Sequence, residues 1–169
     1  MQWQTARLTI GPLDETMAER LSALSREAAC RRFLPDEVFE TPQEAAQAIR
    51  QLTAGYGREG FPQVYAVSLT GGALIGHVEL APIDEGWEIG YHIGQSHTGN
   101  GYAVEAVNAF APAMMAALGL HVLYGVCDAQ NIASRRVLEK TGFQLLFEGE
   151  GPYQGRVIPL RRYGRMRIE

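Results

Sequence analysis

The chain is organised around the segment His97-Thr98-Gly99-Asn100-Gly101-Tyr102-Ala103-Val104-Glu105-Ala106 and, about thirty residues later, the segment Asn131-Ile132-Ala133-Ser134-Arg135-Arg136-Val137-Leu138-Glu139-Lys140-Thr141-Gly142-Phe143. The first has the form of a glycine-containing turn that leads from a strand into a helix. The second starts with a residue that can cap a helix and ends on a glycine suited to the position after the last turn. Each signal is weak alone, and their order and spacing make them informative together.

The glycine turn is suited to holding a phosphate. The first N–H groups of a helix lack partners and carry partial positive charge, so anions bind there. Gly99 and Gly101 have no Cβ, which lets the backbone turn sharply and approach a ligand closely. Asn100 between them also tolerates a left-handed conformation. The turn therefore predicts a phosphate site, although an ordinary strand–helix connection would contain the same glycines.

Two other phosphate-binding loops fit this turn poorly. A P-loop requires Lys followed by Ser or Thr after its last glycine, and neither is present here. A dinucleotide fingerprint requires Gly or Ala three residues after the second glycine, where this chain has Val104. That fingerprint also opens the first strand–helix–strand unit, whereas this turn lies past the middle of the chain.

Length and composition limit the possible functions. The 169 residues have the size of one domain, and we expect residues 1–169 to form a single one. A net charge of −4 argues against a nucleic-acid partner, and the arginines between 161 and 167 are interpreted as a solvated face. Cys30 and Cys127 are too few for a disulfide framework. The first residues lack the pattern of an export signal and no run approaches ~18 apolar residues, so we expect a cytoplasmic protein without a membrane partner.

The hydrophobic periodicity predicts an α/β fold with a mixed sheet, in the order β-α-α-βββ-α-β-α-ββ. Predicted strands cover 7–10, 64–69, 73–80, 87–93, 122–127, 143–147 and 157–168, and predicted helices cover 14–29, 41–55, 101–118 and 132–141. Pro112 is expected to kink or split the third helix. The strand at 87–93 alternates, with Trp87, Ile89, Tyr91 and Ile93 on an apolar face and Glu88, Gly90 and His92 on a face available for chemistry.

The two segments resemble the motifs of the GNAT superfamily of acetyl-CoA-dependent N-acetyltransferases. Gly99-Asn100-Gly101-Tyr102-Ala103-Val104-Glu105-Ala106 is similar to the family's CoA-diphosphate motif, and the residues Asn131, Ser134, Val137, Lys140, Gly142 and Phe143 are similar to its second motif. Thr5-x-Arg7-Leu8 and Trp87-Glu88-Ile89-Gly90-Tyr91 resemble the branch that acetylates N-termini of ribosomal proteins and related amines (RimJ/RimL-like). The resemblance implies a mostly antiparallel mixed sheet flanked by helices.

The resemblance also implies acetyl-CoA as co-substrate and no metal ion. It assigns cofactor binding to Ile93, Thr98, Gly99, Gly101, Tyr102, Ala103, Asn131 and Ser134. Two positions depart from the family pattern. Ser96 stands where Gln or Arg is frequent, and Leu138 stands where many members have a Tyr that protonates the CoA thiolate. Because Leu138 cannot donate a proton, another group or water must do so.

The family reaction, direct attack of a neutral amine on the acetyl thioester, suggests catalytic roles. Glu88 is the leading general base and His92, on the same strand face, is the second candidate. Glu79 and Glu150 are lesser candidates. Ser134 is the best thiolate donor, although a helix Ser also bonds its own backbone. The family's oxyanion donor, a backbone N–H, would lie between 91 and 94. No catalytic role is expected for His77, His97, His121 or Cys127.

Three functions remain open from the sequence. The first is transfer of an acetyl group to a protein N-terminus, a polyamine or a small-molecule amine, by a monomer or homodimer. The second is an acetyl-CoA-binding module of the same fold without catalysis, which Leu138 favours. The third is a nucleotide-binding α/β domain. The acceptor is not specified, since Phe33, Phe39, Tyr56 and Phe61 suit a cleft wall or a packed core equally well.

Overall fold

The computed structural model describes residues 1–168, whose strands form one eight-stranded sheet. The strands are β1 Trp3–Gln4, β2 Leu8–Pro12, β3 Gln63–Leu69, β4 Leu74–Ile83, β5 Gly86–Ile93, β6 Val122–Asp128, β7 Gln144–Tyr153 and β8 Arg156–Met166. The helices are α1 Ala18–Ser25, α2 Ala28–Phe33, α3 Pro42–Ala54, α4 Tyr102–Ala117 and α5 Ile132–Lys140, with short 3₁₀ turns at Glu15–Met17, Pro35–Glu37 and Gln95–His97.

The sheet contains one parallel pair, and this pair is barely joined. The strand order is β1-β2-β3-β4-β5-β6-β8-β7, and every neighbouring pair except β5–β6 is antiparallel. Strands β5 and β6 share only the pair Glu88–Tyr124. Beyond this pair the two strands separate, which leaves a gap in the middle of the sheet.

Helices cover both faces of the sheet. On one face, α4 buries Val107, Phe110 and Met114 against the sheet, as its predicted apolar stripe requires. On the other face, α1 and α3 bury Leu21, Leu24 and Ile49 in a second, smaller cluster. The chemistry-bearing face of β5 points toward α1 and α3, and the apolar face points toward α4.

The predicted fold class and element order are confirmed, and the observed elements differ from the predicted ones in four details. The helix expected over 14–29 divides into a 3₁₀ turn, α1 and α2, because Glu27 is extended at ψ 151° and its carboxylate accepts the N–H of Gln95 (2.7 Å). The two-residue strand β1 was not predicted. Strand β7 continues past 147 to Tyr153 as one arm of a hairpin with β8. Helix α4 is not split at Pro112, and buried residues on both sides of the proline pack into the core.

In the part of the chain that the structure describes, no helix combines the length and the apolarity that crossing a bilayer requires.

Candidate active site

The glycine turn presents free backbone donors at the start of α4. Gly99 and Gly101 have φ angles of +78° and +79°, in the left-handed region that favours glycine. Among residues 1–168, no main-chain acceptor meets the N–H groups from Gly99 to Val104, and the first paired amide is that of Glu105, which bonds to Gly101 O (3.0 Å). A run of unpaired N–H groups at a helix N-terminus fits a diphosphate.

Polar side chains near the start of the chain hold the glycine turn in place. Glu105 accepts hydrogen bonds from Thr5 Oγ1 (2.5 Å) and Arg7 Nε (2.7 Å). Arg7 also donates to Asn100 O (2.9 Å), and its guanidinium lies 4.5 Å from the centre of the Tyr102 ring. The Thr5-x-Arg7 motif therefore braces the glycine turn, a role that the sequence did not specify.

The start of α5 faces the gap between β5 and β6. The Asn131 side chain caps the helix by accepting the N–H of Ser134 (3.1 Å). Ser134 Oγ lies 2.9 Å from the hydroxyl of Tyr91 on β5, and that hydroxyl also donates to Ser134 O (3.0 Å). Burial raises the pKa of Tyr91, so the phenol stays protonated and able to donate near neutral pH.

The main chain of β5 adds donors to the gap. The N–H of Gly94 bonds to Ile75 O on β4 (2.8 Å). Because main-chain groups of successive strand residues point to opposite sides, those of Ile93 and Tyr91 point away from β4 and into the gap. The predicted oxyanion donors thus lie where the strands separate.

Leu138 packs inside the gap instead of presenting a donor. It is 1% exposed and lies over Gly125, where a Cβ would come within 2.6 Å of Leu138 Cδ2. Gly125 on β6 therefore makes room for Leu138, and Tyr91 and Ser134, which line the same cleft, carry a pair of hydroxyl groups.

Acidic and imidazole groups gather on the opposite face of β5. In the β4–β5 ladder, Ala81 pairs with Glu88, Glu79 with Gly90 and His77 with His92, so all of these side chains point to one face. Glu37, from the turn after α2, completes the group, with Oε2 3.4 Å from His77 Nε2. We call Glu37, His77, Glu79, Glu88 and His92 the acidic cluster. The sequence predicted three of its members and missed Glu37 and the participation of His77.

Burial and the charges within the acidic cluster change the pKa values of its members. Burial, followed by the charges of Glu79 and Glu37, raises the pKa of Glu88 to about 7. Burial and the Glu37 charge likewise raise the pKa of Glu79. Burial and nearby His77 lower the pKa of His92, whose Nε2 has no hydrogen-bond partner within the described chain. Burial alone would lower the pKa of His77, but its hydrogen bond to Glu37 and the charge of Glu79 raise it.

Glu37, His77 and Glu79 also have the donor atoms that divalent cations use. Their ligand atoms lie within 4.8 Å of one another. His77 and Glu37 contact each other, with His77 Nε2 3.4 Å from Glu37 Oε2.

One cleft of about 440 Å³ joins the acidic cluster to the gap. Its walls include Glu37, Glu79, Glu88 and His92 at one end, and Tyr91, Ile93, Thr98, Ala103, Asn131, Ser134 and Leu138 at the other. A second cavity, of about 420 Å³, lies between the sheet and helices α1 and α3. Four residues line both spaces: Glu37, Glu79, Ala81 and His92.

Other residues from the sequence analysis lie outside the cleft or are inert in it. Glu150 is exposed on β7 and lines neither space, and His121 is exposed. His97 contacts Ser96 in the turn before Thr98 (Nδ1 to Oγ, 3.0 Å). Cys127 is buried, which raises the pKa of its thiol to about 11 and disfavours the nucleophilic thiolate.

Comparison with known proteins agrees with these features. Residues 7–144 match the family described as Acetyltransferase (GNAT) domain. The chain is 31% identical over 146 residues to the uncharacterized N-acetyltransferase YoaA of Bacillus subtilis (strain 168), covering 83% of this chain and 81% of that protein. It is also 26% identical over 146 residues to the uncharacterized N-acetyltransferase YnaD of the same organism. This match covers 85% of this chain and 83% of YnaD.

Solved structures share the fold. RimL, a ribosomal L7/L12 alpha-N-protein acetyltransferase in complex with coenzyme A, superimposes with a TM-score of 0.81 at 19% identity, covering 96% of both chains. The microcin C7 self-immunity acetyltransferase MccE, in complex with acetyl-CoA and AMP, gives a TM-score of 0.83 at 18% identity, covering 96% of this chain and 93% of that one. At these identities the similarity shows the fold alone.

Proposed function

Because the chain belongs to the GNAT acetyltransferase family, it is an acyltransferase with acetyl-CoA as co-substrate, and we propose that its acceptor is a primary amine bound at the acidic cluster. The observation that carries this proposal is the continuous cleft of about 440 Å³, which has hydroxyl and main-chain donors at one end and carboxylates at the other. An acetyl group passed through the gap between β5 and β6 would meet an amine held by Glu79 and Glu88.

The donor end supplies binding groups for acetyl-CoA. The unpaired N–H groups at Gly99, Gly101, Tyr102 and Ala103 would hold the diphosphate, with Thr98 beside them. Ile93, Asn131 and Ser134 line the gap and would guide the chain that carries the thioester. These are the eight positions that the sequence predicted for the cofactor.

The acidic cluster supplies the base. An amine arrives mostly protonated, since a free lysine amine has a pKa of ~10.4 and an α-amine one of ~7.7–8.0. Glu88, with its pKa raised to about 7, exchanges protons near neutral pH more readily than an ordinary carboxyl would. His92 Nε2 makes no hydrogen bond within the described residues and lies 3.8 Å from Glu27 Oε2. The lowered pKa keeps the imidazole neutral, which makes His92 the second candidate base.

The transfer step balances within this cleft. The neutral amine nitrogen attacks the thioester carbon, and the N–H groups of Tyr91 and Ile93 stabilise the oxyanion that forms. As the tetrahedral intermediate collapses, the C–S bond breaks and the thiolate takes a proton from Ser134. Tyr91 returns a proton to Ser134 through their 2.9 Å contact, and water then reprotonates Tyr91. The amine proton passes to Glu88 or His92 and then to water. In this scheme Ser134, supported by Tyr91, replaces the donor that Leu138 cannot provide.

Two measurements test the proposal together. Acetyl-CoA should raise the melting temperature, and free thiol should form when an amine from a broad panel is added. Glu88→Gln should remove the rise of rate with pH between about pH 6 and pH 9. An unchanged profile would exclude Glu88 as the base. Stabilisation by acetyl-CoA with no thiol release from any amine would favour the binding module without catalysis.

A cytoplasmic location, a single domain over residues 1–169 and a monomeric or homodimeric state accompany this proposal. Of these, the domain is supported by the strands β1 to β8, which belong to one sheet. Limited proteolysis tests the domain, and gel filtration with light scattering tests the oligomeric state.

A further inference from the structure

The cavity between the sheet and helices α1 and α3 indicates what kind of acceptor the proposed site can hold. It has a volume of about 420 Å³, within the range of sites that enclose small ligands. Its walls are formed largely by apolar side chains, among them Leu13, Leu21, Leu24, Phe39, Leu52 and Val64. Its polar end is the acidic cluster, where Glu37, His77 and Glu79 line the same space. The cavity is therefore an apolar chamber with carboxylates at the end that opens onto the reaction cleft.

Within the described residues, positive charge near these carboxylates comes from His77, which bonds to Glu37 and acts on Glu79, and from Arg162, whose charge acts on Glu88 without a salt bridge. Among residues 1–168, no salt bridge joins Glu79 or Glu88 to an arginine or lysine. Half-buried carboxylates that outnumber the cations beside them are costly, and a ligand ammonium would add positive charge. Charge complementarity thus places the amine nitrogen at the cluster, and the rest of the acceptor in the apolar chamber.

Side-chain hydrogen bonds from the β7–β8 hairpin close the acidic cluster on one side. Gln154, at the hairpin tip, has a φ of +51°, unusual for a residue other than glycine. Its side chain accepts the N–H of Asp36 (3.0 Å) and donates to Glu37 Oε1 (3.3 Å). Arg156 donates to Arg32 O in α2 (2.6 Å). These bonds join the hairpin to α2 and the following turn, which suits an enclosed small acceptor better than a polypeptide entering from that side.

We infer that the acceptor is a small primary amine bearing an aromatic or branched alkyl group, which occupies the chamber while its nitrogen lies at Glu37, Glu79 and Glu88. The inference rests on the proposed function. It names which amines the chain prefers: apolar ones over polyamines and over peptides with a polar N-terminal residue. Burying a phenyl-sized group should raise kcat/KM on the order of 10- to 100-fold.

The test compares four amines and two tryptophan variants. The amines are 2-phenylethylamine, ethylamine, spermidine and a short peptide with an N-terminal serine. Ala48→Trp places a large side chain into the chamber from α3, where Ala48 is one of its lining residues. Gln47→Trp makes the same addition on the exposed side of the same helix. Equal melting temperatures of the two variants verify that both are folded.

We expect 2-phenylethylamine to be acetylated at least about tenfold more efficiently than the other three amines. Ala48→Trp should remove this advantage while leaving the KM for acetyl-CoA unchanged, and Gln47→Trp should keep it. Calorimetry without acetyl-CoA should show that 2-phenylethylamine binds the wild-type and Gln47→Trp proteins, but not Ala48→Trp.

The outcomes distinguish failure of this inference from failure of the proposed amine acetylation. Efficient acetylation of spermidine, the peptide or ethylamine, with no preference for 2-phenylethylamine, would overturn the inference and leave amine acetylation standing. If no amine is acetylated, the proposed function fails and calorimetry decides the inference. Binding that Ala48→Trp abolishes would support the chamber as an apolar-amine site, and absence of binding to the wild type would overturn it.

Discussion

The side chain of Glu79 lies over Gly90, its direct partner in the β4–β5 ladder. A Cβ placed on Gly90 would come within 2.7 Å of Glu79 Oε1 and 2.8 Å of its Cγ. The bare backbone at Gly90 therefore determines where the Glu79 carboxylate sits, beside the face from which Glu88 and His92 project. A glycine thus shapes the acidic cluster without providing a functional group.

Gly90→Ala should lower kcat/KM on the order of tenfold or more, because the new methyl group displaces the Glu79 side chain. The KM for acetyl-CoA should stay unchanged, since the glycine turn and Ser134 are untouched. Gly149→Ala is the matched control: its Cβ would come equally close, 2.7 Å, to the exposed Phe147 ring on the edge strand β7. Steady-state kinetics on both substrates checks this, and equal losses in the two variants would contradict it.

Glu88→Gln should stabilise the protein at alkaline pH. The pKa of Glu88 is raised to about 7 in the folded state from 4.5. Between about pH 4.5 and pH 7 the folded state thus binds more protons than the unfolded one, and the free energy of unfolding falls as pH rises. Glutamine carries no charge, so the variant avoids this loss and should gain about 1–3 kcal/mol at pH 8 and nothing at pH 4.5.

Urea unfolding of the wild type and Glu88→Gln at pH 4.5, 6 and 8 measures this difference. Glu59→Gln, at an exposed position in the loop before β3, controls for loss of one negative charge. A difference between wild type and Glu88→Gln that is the same at all three pH values would show that burial does not penalise the Glu88 charge. A stabilised and less active variant would show that the site retains a costly carboxylate for its chemistry.

Tyr91→Phe and Ser134→Ala should reduce kcat by similar amounts, on the order of 10-fold each, because both remove the donor of the thiolate proton. The double variant should lose little more than either single one, since the two hydroxyls act as a hydrogen-bonded pair. Tyr56→Phe is the control, because Tyr56 lines neither the cleft nor the chamber and its half-buried hydroxyl bonds to main-chain atoms of Val64 and Leu13. Independent, multiplying losses in the double variant would argue against a shared proton path.

Gly99→Ala should weaken acetyl-CoA binding, whereas Gly119→Ala should not. Both glycines have positive φ angles, +78° and +66°, and a Cβ on either would meet no atom within 4 Å. The left-handed conformation should therefore cost both variants a similar ~1 kcal/mol of stability. Only Gly99 lies in the proposed diphosphate turn, so its variant alone should raise the KM for acetyl-CoA. Denaturation curves and kinetics check the two effects separately.

The donor end of the cleft was predictable because its signals are local. A left-handed glycine and a helix N-terminus are properties of a few consecutive residues, so Gly99, Gly101 and the helix that follows could be identified from the sequence. The cap at Asn131 is equally local, and the alternation of β5 placed Glu88 and His92 on one face. The predicted start of α4 differs from the observed one by a single residue.

The acceptor end was not predictable, because its residues come together only through strand register and through contacts between segments that are far apart in the sequence. Glu37 comes from the turn after α2, His77 and Glu79 from β4, and Gln154 from the tip of the β7–β8 hairpin. No spacing in the sequence relates Glu37 to Gln154, which are 117 residues apart and share a hydrogen bond.

The sequence by itself determined the fold class, since helix periodicity, capping and glycine conformation act over short stretches of chain. The family and the co-substrate followed from the resemblance of two local motifs to a known family. Only the tertiary structure decided which side chains surround the acceptor. The separation of β5 from β6 opened the sheet, the β4–β5 register aligned Glu79, Glu88, His77 and His92, and the packing of α1 and α3 left the apolar chamber beside them. Contacts between distant segments set burial, and burial sets the protonation and the specificity of the site.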